Sequence, residues 1–185
     1  MTKKHLLFSI LVFIMLALAW WLRSPMHALP LERDEGAYAV IAVRWMAGDI
    51  PYRDLFDHKP PLVYLVYGLA RFCSPDPVRA IRMLATLYLL ASGVVVFLTG
   101  WRLYGRWSAV GALALFLAYG SSWRFQGLTF NSEAIMTLPA MLGCLFAVWG
   151  MQVRRPWLFA LAGGWVGLAA LAKPVGVLLL GPLCL

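Results

Sequence analysis

Acidic residues are scarce in this chain: eight among 185, against sixteen Lys and Arg. Charged residues of both signs make up only 13% of the sequence, while 62% is hydrophobic. A soluble domain is normally about a quarter charged, so that class is excluded. Cysteine is equally sparse. Cys73, Cys144 and Cys184 are odd in number and far apart, which excludes a disulfide framework and a thiolate metal ribbon. The apolar runs are continuous rather than alternating, which argues against a β-barrel. No phosphate-binding glycine loop, nucleophile elbow, zincin helix or dinucleotide fingerprint is present. The net charge of +8 does not indicate nucleic acid. The basic residues are scattered at the ends of apolar runs, without the basic stripe and interleaved aromatics that single strands require.

What is abundant is hydrocarbon in lengths that suit a bilayer, at about 20 residues per span. The expectation is an all-α polytopic membrane protein with spans near 6–22, 78–101, 108–122, 134–150 and 157–172, and a sixth run from 175 to 185. The first run is read as an uncleaved anchor rather than a signal peptide, because it continues through Trp20 and Trp21. The last ten residues are apolar throughout, so the sixth run is expected to be cut mid-span, as the N-terminal part of a longer enzyme would be. With Lys3 and Lys4 in the cytoplasm, Arg102, Arg106, Arg154 and Arg155 fall on the same side, as the positive-inside rule demands. The 23–77 segment then lies outside, together with Asn131-Ser132-Glu133.

That outer segment holds most of the acid. Glu32, Asp34, Glu35, Asp49, Asp54 and Asp57 all lie between Leu31 and Pro61. Asp34 is a natural cap for a helix over about 35–47, ended by Gly48. Tyr38, Ile41, Ala42 and Trp45 would form its apolar face. "PPLVYLVYGLARF", from Pro60 to Phe72, reads as a second helix too short to span. Both are expected to lie in the membrane surface.

Each polar candidate has a structural and a chemical reading. Asp34 and Glu35 suit a helix N-terminus. A carboxylate at the edge of low dielectric is equally a proton acceptor. His58 and Lys59, stiffened by Pro60 and Pro61, are either a solvated loop or a grip for an anionic headgroup. Glu133 opens an outer-face helix, where an ionisable group is a functional candidate. Lys173 reads as an ordinary snorkelling lysine. His58 with Asp54 or Asp57 is not a metal ligand set. The remaining acids, Glu32, Asp49, Asp54 and Asp57, have no assigned role beyond solvation.

"DEGAYAVIAVRWMAGDIPYRDLFDHKPPLVY" resembles the first outer loop of GT-C glycosyltransferases, above all the bacterial branch related to dolichyl-phosphate-mannose protein mannosyltransferases and aminoarabinose transferases. "NSEAIM" and "GLAALAKPVG" fit the same family. The resemblance implies a GT-C-like helix bundle that moves a sugar from a polyprenyl-phosphate donor to a hydroxyl of a lipid, glycan or protein on the extracytoplasmic face. It implies Asp34 as the catalytic carboxylate, Glu35 as its motif partner, Lys59, with His58 beside it, on the donor phosphate, and Glu133 as a second outer-face acid. No cofactor or metal is required by such chemistry. A departing lipid phosphate is already a stable anion, so one base and one cation meet the minimum. The competing readings are a transporter or lipid-handling protein, or an inactive fragment. A transporter predicts ionisable groups near the bilayer midplane, whereas these acids cluster at one surface.

Overall fold

A computed structural model describes residues 3–179 of the chain, with side chains placed from 7 to 178. The described residues form an all-α structure whose β pairing is limited to an isolated bridge between Pro51 and Leu55. Seven α-helices follow in order: α1 (Lys3–Arg23), α2 (Arg33–Met46), α3 (Leu62–Leu69), α4 (Pro77–Tyr104), α5 (Arg106–Gly120), α6 (Ser132–Val153) and α7 (Pro156–Ala172). Short 3-10 turns follow α1, α3 and α7.

The helix ends are written locally. Asp76 caps α4 by accepting from the Arg79 N–H at 3.0 Å, with Pro77 at the first helical position. Asn131 caps α6 through the Ala134 N–H at 3.1 Å. Gly105, at φ +85°, separates α4 from α5 in a conformation that disfavours any residue with a side chain. Pro156 opens α7, and Pro174 follows its end.

By length and composition three stretches among the described residues can cross a membrane: Leu7–Ala28, Pro77–Tyr104 and Ser132–Val153. Two further expected spans are shorter. α7 has 17 residues and α5 has 15. At 1.5 Å per residue α5 reaches about 22 Å, less than a hydrocarbon core of about 30 Å. The expected sixth run begins as a 3-10 turn, Pro174–Leu179, and the rest of it lies outside the described residues.

α6 and α7 approach closely because their facing residues are small. A methyl group added at Gly143 would stand 2.9 Å from Val166 and 3.3 Å from the Ala162 carbonyl. Ala147 and Gly150 continue the same buried stripe. α2 and α3 pack against one another, and their buried faces meet α4 and α6 in one cluster. Tyr38, Ile41, Val63, Tyr64, Tyr67, Ile81, Phe130 and Ile135 form its centre. Trp45 packs against it from a partly buried position, so the apolar face expected from the i, i+3, i+4, i+7 spacing is the one buried. Val40 and Val43 remain exposed on the other side of α2.

Candidate active site

The site is built on the start of α2, the loop into α3 and the start of α6. α2 does not begin as expected. Its cap is Glu32, in extended backbone, and Asp34 already lies in the first turn. The reason is Glu35. From the third helical position its Oε2 accepts the Glu32 N–H at 2.7 Å, fixing the chain entry two residues before Asp34.

Glu35 was expected beside Asp34 at the surface and is instead fully buried. Its two oxygens take a bidentate pair from Arg82 of α4, at 2.7 and 2.8 Å. Oε1 also accepts the Phe130 N–H at 2.6 Å. With the Glu32 contact, each oxygen has two donors, and none of its capacity is left for a substrate. Arg82 is equally saturated. Beyond Glu35 it donates to the carbonyls of Leu29 (3.4 Å), Pro30 (2.6 Å) and Leu128 (2.7 Å). One buried ion pair therefore ties the α1–α2 connection, α2, α4 and the loop before α6 together. Such a pair adds little net stability when intact, but removing one partner costs about 3–5 kcal/mol. The sequence signal for Arg82 was a charge inside an otherwise apolar run; nothing local pointed to its partner.

With Glu35 turned inward, Asp34 faces out. Its side chain keeps 48% of its exposure and, among the described residues, accepts only from the neighbouring Arg33, at 3.2 Å. Beneath it lies Tyr38, buried, with ring centroids 6.2 Å from Tyr64 and 5.6 Å from Tyr67. Burial raises the Tyr38 phenol to about 12, and the carboxylates of Asp34, Asp57, Glu133 and Glu32 stand close enough to add to the effect. Acids from three separate stretches thus lie within electrostatic reach of one tyrosine. Asp57, passed over in the sequence, belongs to this group. Only 14% of its side chain is exposed, and it also acts on Tyr52 and Tyr64.

The other loop acids are engaged rather than loosely solvated. Asp49 meets Arg44 at 2.6 Å. Asp54 accepts from the Ile50 N–H at 2.8 Å and from two nitrogens of Arg53, at 2.9 and 2.8 Å. The pairing holds the Asp54 carboxyl below its usual range, the Arg53 contact being the larger cause. Together these contacts close the 49–55 turn.

Lys59 and His58 part company. The His58 ring is 78% exposed and turns back toward Asp57, with Nδ1 at 3.2 Å from Oδ1. Lys59 is half-buried. Its carbonyl accepts from the hydroxyls of Tyr52 at 2.6 Å and Tyr64 at 3.2 Å. Tyr64 is the ring packed on Tyr38, so Lys59 is joined to the floor beneath Asp34 through two aromatic side chains. At the start of α6, Glu133 is in contact with Lys173, which follows α7, and with the Ser132 hydroxyl at 3.1 Å. Lys173 is therefore an ion-pair partner as well as a residue at a helix end, and it joins "NSEAIM" to "LAKPVG". Beside Glu133 a cavity of about 340 Å³ opens between α4, α5 and α6, with Arg23, Tyr88 and Phe130 in its wall; Asp34 and Lys59 lie outside it.

Arg23 was not singled out in the sequence. It is buried and donates to Thr86 Oγ1 and to the Gly120 and Gly127 carbonyls, at 3.2, 2.7 and 2.8 Å. It thereby fixes the α5–α6 connection that forms one rim of the cavity. Among the described residues no three His, Cys, Asp or Glu side chains gather as a metal ion needs.

The comparisons with known proteins follow this geometry only in part. The family described as dolichyl-phosphate-mannose-protein mannosyltransferase matches residues 58–185. Lys59, Arg82, Glu133 and Lys173 fall inside the match; Asp34 and Glu35 precede it. No curated protein and no solved structure matches the chain.

Proposed function

From the premise that the chain belongs to the dolichyl-phosphate-mannose-protein mannosyltransferase family, we propose that it transfers a sugar from a polyprenyl-phosphate donor to a hydroxyl acceptor at the outer membrane surface. The observation that carries this reading is the half-exposed Asp34 carboxylate at the start of the helix that carries Tyr38, with the Lys59 carbonyl held by Tyr64, whose ring packs on Tyr38.

Asp34 is the base. It is the exposed carboxylate of the acidic pair, and it takes the proton of the acceptor hydroxyl as the oxygen attacks the anomeric carbon. The bond from that carbon to the phosphate oxygen breaks on the opposite side, so configuration inverts. The departing phosphate carries the electron pair and needs no general acid. Lys59 steadies its charge with a compact ammonium, and His58 stands next to it at the rim. Glu35 acts through Asp34. It is a positioning residue whose buried pair with Arg82 fixes the first turn of α2. Glu133, paired with Lys173, is a second acid on the outer face. In this scheme the N-terminus is cytoplasmic, and the segment from 23 to 77 faces outward.

The test is donor choice in lipid vesicles containing the intact protein. Transfer from a polyprenyl-phosphate sugar, with no transfer from the matching nucleotide sugar, is the expected result. Turnover of the nucleotide sugar alone would contradict the assignment.

A further inference from the structure

Tyr52 is one of three non-glycine residues in the described chain with positive φ, at +69°. An aromatic residue there is strained, and such strain persists only where surrounding contacts impose it. The contacts are visible. The Tyr52 N–H donates to the Leu55 carbonyl at 2.9 Å, within the turn that Asp54 closes through the Ile50 N–H. The side chain, half exposed, does not gain burial in return. What it gains is the 2.6 Å hydrogen bond from its hydroxyl to the Lys59 carbonyl.

Tyr64 reaches the same carbonyl from α3 at 3.2 Å, and the two rings lie 6.4 Å apart. Burial and the Asp57 carboxylate both raise the Tyr52 phenol, and they act on Tyr64 in the same direction. Both hydroxyls therefore stay protonated and donate at neutral pH. The peptide after Lys59 leads into Pro60 and Pro61, which fix φ and supply no N–H. The Lys59 backbone is thus held by two donors on its carbonyl and by two prolines beyond it, while its ammonium has no ion-pair partner among the described residues.

We propose that Tyr52 is a positioning residue: with Tyr64 it clamps the Lys59 carbonyl and so aims the ammonium at the phosphate of the lipid donor. This rests on the reading of Lys59 as the phosphate-binding cation. The strain at Tyr52 is then the cost of placing a hydroxyl where the turn would otherwise favour glycine.

The experiment measures binding of a sugar-free polyprenyl phosphate to the intact protein in detergent micelles, for wild type, Tyr52→Phe, Lys59→Ala and the double variant. Tyr52→Phe removes one hydroxyl and leaves the ring, so the thermal midpoint should stay close to wild type. Its affinity should fall about threefold to tenfold, the worth of one hydrogen bond. In the Lys59→Ala background the same change should have no further effect. Tyr52→Gly, which relieves the φ strain and lacks the hydroxyl, should bind as weakly as Tyr52→Phe without losing stability. If Lys59→Ala weakens binding while Tyr52→Phe does not, or if the Tyr52 effect is the same in both backgrounds, the clamp is overturned and the phosphate role of Lys59 stands. If Lys59→Ala binds like wild type, the phosphate role falls and the clamp falls with it.

Discussion

Adjacent residues in this chain have opposite surroundings. Asp34 is half exposed with a single surface partner, while Glu35 is sealed under four donors. The pair reads as two equivalent acids in sequence because nothing local reveals that Arg82, 47 positions away, claims one of them. The two should therefore fail differently. Glu35→Gln leaves the Arg82 guanidinium buried without its counter-charge. The expected result is a loss of about 3–5 kcal/mol, seen as a lower thermal midpoint and reduced abundance. Asp34→Asn should leave stability within about 0.5 kcal/mol of wild type. Tyr38 supplies a pH signature. Its phenol is held up to about 12, above the ordinary value near 10, so the folded state binds its proton more tightly than the unfolded one. That contribution is complete below about pH 10 and is lost as pH rises toward about 12. A thermal-midpoint series in alkaline buffers should be flat and then fall across that window, and Tyr38→Phe should reduce the fall.

The elements were legible where the pattern is long and regular. The runs near 78–101 and 134–150 became α4 and α6, whose starts are set by the caps Asp76 and Asn131 and which run on to Tyr104 and Val153. The buried face of α2 followed from its spacing, whereas its start did not. Asp, the stronger capping type, lost that position to Glu32 because Glu35 reaches back to the Glu32 N–H. Also hidden was the joining of elements: Lys173 with Glu133, and Arg23 with the carbonyls of Gly120 and Gly127. Such pairings depend on which helices meet, and local periodicity carries no record of that. The α6–α7 seam gives the prediction at this scale. Gly143→Leu drives a branched side chain into Val166 and the Ala162 backbone. A loss of about 1–3 kcal/mol in thermal stability is expected. Gly163→Leu, at a glycine with open space around its Cβ position, should be nearly neutral by comparison.

At the scale of the molecule, the residues proposed for the reaction lie toward the start of α4, whereas Arg102 and Arg106 lie at its far end. Phe56, 95% exposed, marks the loop beside Asp57, and Trp107, 72% exposed, follows Arg106 at the opposite end of α4. In a background with Cys73, Cys144 and Cys184 changed to Ala, Phe56→Cys should react with a membrane-impermeant maleimide from outside intact cells. Trp107→Cys should react only after the membrane is opened; the reverse pattern would invert the proposed topology. Composition made the membrane class legible, and the resemblance in the outer loop pointed to the family. The contrast between a half-exposed Asp34 and a buried Glu35 came only from the fold. The role of Asp34 as the base that activates the acceptor is read directly from sugar transfer from a polyprenyl-phosphate donor in membranes containing intact wild-type or Asp34→Asn protein at matched abundance. Asp34→Asn should lower transfer about a hundredfold or more, with binding of the sugar-free lipid phosphate unchanged. Wild-type turnover by Asp34→Asn would rule out Asp34 as the base.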